Sequence, residues 1–229
     1  MIHLLLQYFG GRGSSGKSSG GAFGNSARSG HMFEDKYEES YEDGNITRYE
    51  ERADMIKQTV PQYSTEQAEE LVEHMDLWSG GGYEYVREAQ QRVSEGKSYD
   101  DGWMSSGELL EDYISRAPKY SGEIYRGINV SEDRADSIIN TLASGGSIDM
   151  LGTSSWSSKV KVANNFASPI WGNKAIVFRC SKTNKGTSIQ HLSGYGKYEA
   201  EILVSKTARY RAKSIVDQGS RWYVELEEF

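Results

Sequence analysis

The spacing of apolar residues changes at Pro118, and that change limits the folds open to this chain. Before it, apolar residues recur at helical spacing. Ser64 and Gln67 form a capping box, and Ala68, Leu71, Val72 and Met75 follow as one stripe, with Gly80-Gly81-Gly82 expected to stop the helix. A second helix is expected over 83–95, ended by Gly96. A third opens at a capping box of Ser105 and Glu108, with Leu109, Leu110, Tyr113 and Ile114 facing inward. After Pro118 the pattern turns strand-like over 123–128, 148–156, 175–179, 199–205 and 209–215, ending in the alternation Trp222, Val224, Leu226. One helix interrupts it over 131–143, with Ala135, Ile138, Ile139 and Leu142 on one face. Helices first and then mostly strands favour an α+β domain over an alternating, doubly wound one.

The 229 residues are enough for one domain with a tail. Acidic side chains outnumber basic ones by 33 to 26, for a net charge of -7, which argues against a protein that coats nucleic acid. A single cysteine, Cys180, excludes an internal disulfide framework. Four widely separated histidines show no ligand spacing, so no metal is expected. The apolar run 2–9 is too short to cross a bilayer and lacks the basic start of a secretion signal. No membrane association is expected.

Of the 25 glycines, eight fall between positions 10 and 30, beside six serines, and no acid precedes Glu34. Such sequence has little to bury. Residues 1–45 are therefore expected to be a disordered leader with an acidic linker over 34–43, and 46–229 the folded domain, helical over about 46–118 and β-rich over about 119–229. Gly11 to Ser18 matches the phosphate-binding pattern G-x-x-x-x-G-K-[ST]. A working loop of that kind leads into a helix whose N-terminus holds the phosphates, and four glycines over 19–30 leave no helix to follow. The pattern is read as a by-product of Gly/Ser-rich sequence. The segment Leu6-Gln7-Tyr8-Phe9-Gly10-Gly11-Arg12-Gly13-Ser14 resembles the short leader of many head-associated phage proteins, which implies a phage-related origin and a virion as one partner.

Three features of the strand-rich half fit together: Tyr125-Arg126-Gly127 on a strand; the hydroxyl-rich run Gly152-Thr153-Ser154-Ser155-Trp156-Ser157; and a Gly/Tyr-rich turn over 193–198 that leads into Glu199-Ala200-Glu201. On a strand, positions i and i+2 share a face, so Glu199 and Glu201 are expected side by side. Neighbouring carboxylates raise each other's pKa and can divide the roles of base and electrostatic stabiliser. Arg126 can grip a carboxylate or phosphate, and hydroxyls can hold these groups in place. Such a site suits a phosphate-bearing substrate with a cationic transition state.

This combination resembles the mono-ADP-ribosyltransferase family, in its branch of an Arg, a Ser-Thr-Ser-type strand and a Glu-x-Glu pair, which includes arginine-modifying bacterial toxins and related phage enzymes. The resemblance rests on Ile124-Tyr125-Arg126-Gly127, on 151–158, on Ala163-x-x-Phe166 and on 193–204, with Trp78-Ser79-Gly80-Gly81-Gly82-Tyr83 in the helical part. It covers the chain from about residue 50 onward and implies N-terminal helices packed on a split, two-sheet β core. The implied reaction cleaves NAD, used as substrate, at the nicotinamide–ribose bond and transfers ADP-ribose to an arginine of a target protein. By position, Arg126 is implied to bind the NAD phosphates and brace the site, and the Gly127 backbone to hold the nicotinamide amide. Thr153 or Ser154 would supply the hydroxyl that orders the ribose and orients Glu201. Phe166 would pack on the nicotinamide, Glu201 would accept a ribose hydroxyl, Glu199 would act on the acceptor, and Tyr195 would recognise the target. The alternatives are an NAD glycohydrolase and a catalytically silent phage-head component. With no secretion signal evident, the chain is expected in a host cytoplasm, on a virion, or exported as an effector.

Overall fold

The computed structural model describes residues 2–3, 45–99, 101–168, 173–192 and 199–229. The phosphate-loop look-alike, most of the leader, the acidic linker and the turn carrying Tyr195 lie outside the described residues.

Helices α1 (Asn45–Thr59), α2 (Thr65–Leu77), α3 (Tyr83–Ser94) and α4 (Asp101–Arg116) form the N-terminal layer. At the start of α2 the Ser64 hydroxyl accepts from the Gln67 amide while the Gln67 side chain accepts from the Ser64 amide. The stripe Ala68, Leu71, Val72 and Met75 is buried, as its spacing requires. Helix α2 ends at Leu77, and the three glycines break the helical path before α3, as expected. Residues 78–82 form a kinked turn between α2 and α3, with Gly81 at a φ of 114°, outside the helical region, open to glycine and strained for other residues. Helix α4 starts at Asp101, ahead of the expected Ser105 cap. Its extra first turn carries Trp103, which stacks on Tyr85 of α3 with ring centroids 4.9 Å apart.

The β-rich half contains β2 (Ile124–Ser131), α5 (Glu132–Ala143), β3 (Ser147–Asp149), β4 (Ser154–Ser157), α6 (Val160–Phe166), β5 (Asn173–Cys180), β6 (Gly186–Ser188), β7 (Glu201–Val204), β8 (Arg209–Asp217) and β9 (Arg221–Glu228). A short β1 (Ile2–His3), inside the expected leader, pairs in parallel with β3. The strand order is β1-β3-β8-β9-β5-β2-β4-β7-β6. Strands β2 and β5 pair along their whole length, and β4 and β7 pair through four positions. Between those two groups a single pair, Tyr125 with Ser157, joins β2 to β4. The sheet is thus two leaves meeting at a narrow joint, which is the split core that was expected.

The run expected as one strand over 148–156 is two strands in different leaves. Strand β3 pairs with β8 and β4 with β7, and between them Leu151 takes a φ of 56°. Arg87 of α3 holds this crossing by donating to the Met150 carbonyl at 2.6 Å. One apolar core spans helices and sheet; within it the Trp156 and Tyr210 rings lie 5.3 Å apart. A smaller cluster of Ala163, Ala167, Ala175 and Val177 seats α6 on the sheet.

Candidate active site

Small residues bring α6 close to β2. At Gly127 a methyl group would lie 1.8 Å from the Ala163 carbonyl oxygen, so only glycine allows the approach. Beside this contact, at the joint between the leaves, a small open cleft is lined by apolar Tyr125, Val162 and Phe166 and by polar Ser155, Ser157, Glu199 and Glu201.

Glu201, the first residue of β7, is only 3% exposed. Its Oε1 accepts from Ser155 Oγ at 2.6 Å and from Trp78 Nε1 at 3.1 Å, and its Oε2 accepts from Ser79 Oγ at 3.3 Å. Burial pushes the pKa of its carboxyl up, against the pull of these donors and of the Arg126 charge. A carboxylate fixed by three donors at the edge of a cleft is preorganised to stabilise positive charge.

Glu199 does not reach the cleft by strand alternation. Strand β7 begins at Glu201, and Ala200 before it has a φ of 47°, so a left-handed turn brings the two acids to the same cleft. The turn is tied down where the Ser157 hydroxyl donates to the Glu199 carbonyl and the Ser158 amide donates to that of Ala200.

The hydroxyl that meets Glu201 belongs to Ser155, and neither sequence candidate does this. Ser154 faces the interior and accepts from Trp156 Nε1 at 3.1 Å. Thr153 is also buried: it donates to Glu111 Oε1 at 2.5 Å and accepts from Gln90 Nε2 at 2.9 Å. Trp156 in the core fixes the phase of β4, and Ser155 follows onto the opposite face.

Arg126 is fully buried on β2 and donates through Nη1 to the Ser155 carbonyl. It braces β4 from behind and is not among the residues that line the cleft. Burial, followed by the like charge of Arg87, pulls its pKa well down from the ordinary value. Arg87, also buried, is drawn down to about 10 by burial. Two neighbouring guanidinium groups under one wall of the site create a positive field there.

Phe166 closes the end of α6 over the cleft. Sequence reasoning passed over Trp78, Ser79, Ser155 and Arg87 as site residues. The signal for the first two was the unusual Trp-Ser-Gly-Gly-Gly run. Among the described residues no group of three or more His, Cys, Asp or Glu is placed to hold a metal, and no helix is long and apolar enough to cross a membrane.

No family model and no curated protein matches this sequence. Solved structures do. The ADP-ribosyltransferase Vis from Vibrio splendidus aligns with a TM-score of 0.61 at 20% identity, covering 90% of this chain and 86% of its own. HopU1 of Pseudomonas syringae aligns at 0.57 and 17% identity, covering 70% and 77%. Exoenzyme S of Pseudomonas aeruginosa, solved with a human 14-3-3 protein and carba-NAD, aligns at 0.54 and 18%, covering 83% and 88%. With its helical layer, two-leaved sheet and strand-borne acid at the joint, the chain has the mono-ADP-ribosyltransferase fold.

Proposed function

We propose that this chain is a mono-ADP-ribosyltransferase that cleaves NAD and transfers ADP-ribose to arginine side chains of a target protein. The observation that carries the reading is Glu201, buried and held by Trp78, Ser79 and Ser155 at a cleft it shares with Glu199. The cleft suits the substrate. Tyr125, Val162 and Phe166 offer apolar surface to a flat nicotinamide ring, and the acids face the position where the ribose would lie. Carba-NAD in exoenzyme S and agmatine, a guanidine, in Vis support NAD and an arginine-like acceptor by analogy of fold.

The bond that breaks joins the ribose anomeric carbon to the nicotinamide nitrogen. Nicotinamide leaves with the bonding pair and becomes neutral, and positive charge develops on the ribose. Glu201 accepts a hydrogen bond from a ribose hydroxyl and stabilises that charge, while Arg126 holds β4, and with it Ser155, in place. A guanidinium is a poor nucleophile while protonated. Glu199, partly exposed beside the cleft, aligns it and takes the proton as nitrogen bonds to carbon.

The test uses adenine-labelled NAD with agmatine as acceptor, separating ADP-ribosylagmatine from free ADP-ribose. Glu201→Gln is expected to lower both NAD cleavage and transfer by about 10²-fold or more, the scale of losing a preorganised charge-stabilising group. Glu199→Gln is expected to abolish transfer to agmatine while cleavage to free ADP-ribose stays measurable. Equal loss of both activities in Glu199→Gln would remove the division of roles. Cleavage without transfer in the wild type would identify water as the acceptor and the chain as an NAD glycohydrolase.

A further inference from the structure

The kinked turn between α2 and α3 touches the acid directly. In an α-helix, side chains at i and i+1 diverge by about 100° and do not face a common point. Here consecutive residues reach one carboxylate, Trp78 at Oε1 and Ser79 at Oε2, at the kinked turn between the two helices. The glycines make that course possible. Gly81 holds a φ of 114°, and a methyl group at Gly82 would lie 2.7 Å from the Leu77 carbonyl oxygen. Trp78 is 1% exposed, and its Nε1 also donates to Ser155 Oγ at 2.9 Å, so one indole ties the helical layer to both β4 and β7.

We infer that Trp78 and Ser79 are positioning residues for Glu201, and that the kinked turn of the helical layer fixes which way the carboxylate points into the cleft. The inference rests on the reading of Glu201 as the charge-stabilising acid. The groups that face Glu201 are Trp78 and Ser79 from the turn and Ser155 from β4, with the Arg126 charge on β2 behind it. Glu199 lines the same cleft, and Arg87 of α3 lies next to Arg126. Each donor favours the ionised carboxylate, so removing one favours the proton.

Trp78→Phe removes the N–H and keeps a ring in the core; Ser79→Ala removes a hydroxyl at a half-buried position. The Glu201 side-chain carboxyl is titrated by ¹³C NMR in each protein, with its signal identified by its loss in Glu201→Gln. The acid limb of the NAD cleavage profile is recorded alongside. Trp78→Phe is expected to raise both midpoints by about one pH unit, the scale of one hydrogen bond to a charged group, and Ser79→Ala by about half that. In Trp78→Phe the fall at neutral pH is expected in kcat, with KM for NAD within about twofold of wild type, because the lost contact lies behind the acid. Unchanged Glu201 midpoints in both variants would overturn the inference. If Trp78→Phe fails to fold, Ser79→Ala decides alone. Absence of NAD cleavage in the wild type would reject the catalytic reading, while the NMR titration still judges the positioning.

Discussion

At Gly127 the chain leaves no room for one additional carbon atom. The nearest contacts to an added methyl are backbone atoms of Ala163 and Ala167, which cannot rotate aside. Gly127→Ala is therefore expected to destabilise the fold by at least ~1–3 kcal/mol, the usual range for overpacking, and thermal denaturation measures it. Glu201 presents the opposite case, a residue that is kept at a cost to stability. Burial raises its folded pKa above the unfolded value, so the folded chain binds more protons in the window between them. Stability contributed by this group is present below the ordinary carboxylate pKa of about 4.3 and falls as pH rises toward the folded value. Glu201→Gln should then melt a few degrees higher than wild type at pH 7, with the advantage disappearing near pH 4. Calorimetry at both pH values checks the sign, and an inactive variant that gains stability would fit a site built under strain. Residue identities at the site were only partly legible in the sequence. Arg126, Glu199 and Glu201 stood out by type and spacing. Ser155 did not, since choosing among three consecutive hydroxyl residues requires knowing that Trp156 points into the core.

Among the secondary-structure elements, legibility followed the range of the forces involved. The capping box and stripe of α2 and the buried face of α5 depend on residues a few positions apart, and both were readable. The break between β3 and β4 was not. Each of those strands is defined by a partner more than forty positions away, and the crossing between them is held by Arg87 from α3. The left-handed turn at Ala200 escaped for a similar reason, being fixed by hydroxyl and amide contacts from 157 and 158. Glu111 of α4 shows how the helical layer controls the short β4–β7 ladder. Its carboxylate accepts from Thr153 just before β4 and from Ser205 and the Lys206 amide just after β7, at 2.5–2.7 Å. Glu111→Ala leaves those donors without their acceptor and should cost ~2–4 kcal/mol in urea denaturation, about the sum of one to two unsatisfied polar groups. Glu132→Ala, on an exposed ion pair with Lys174, should stay within ~0.5 kcal/mol of wild type.

For the molecule as a whole, the sequence conveyed class and order, helices followed by strands, more readily than it conveyed the joint. Nothing local announces that β2 and β4 share a single pair of residues. The resemblance to a nucleotide-binding loop at Gly11–Ser18 belongs to no described part of the site, and Lys17→Ala is expected to leave NAD cleavage unchanged in a radiometric assay. The joint itself has a thermodynamic consequence. Across most of a sheet, backbone ladders make neighbouring strands melt as one cooperative unit, but here one backbone rung, Tyr125–Ser157, and the Arg126 side chain on the Ser155 carbonyl carry that coupling beside the cleft. Whatever fills the cleft supplies the contacts that the missing rungs would have made. A bound ligand then acts as a detachable piece of the interior, and amide exchange in β4 and β7 should slow toward that of β2 and β5 when it is present.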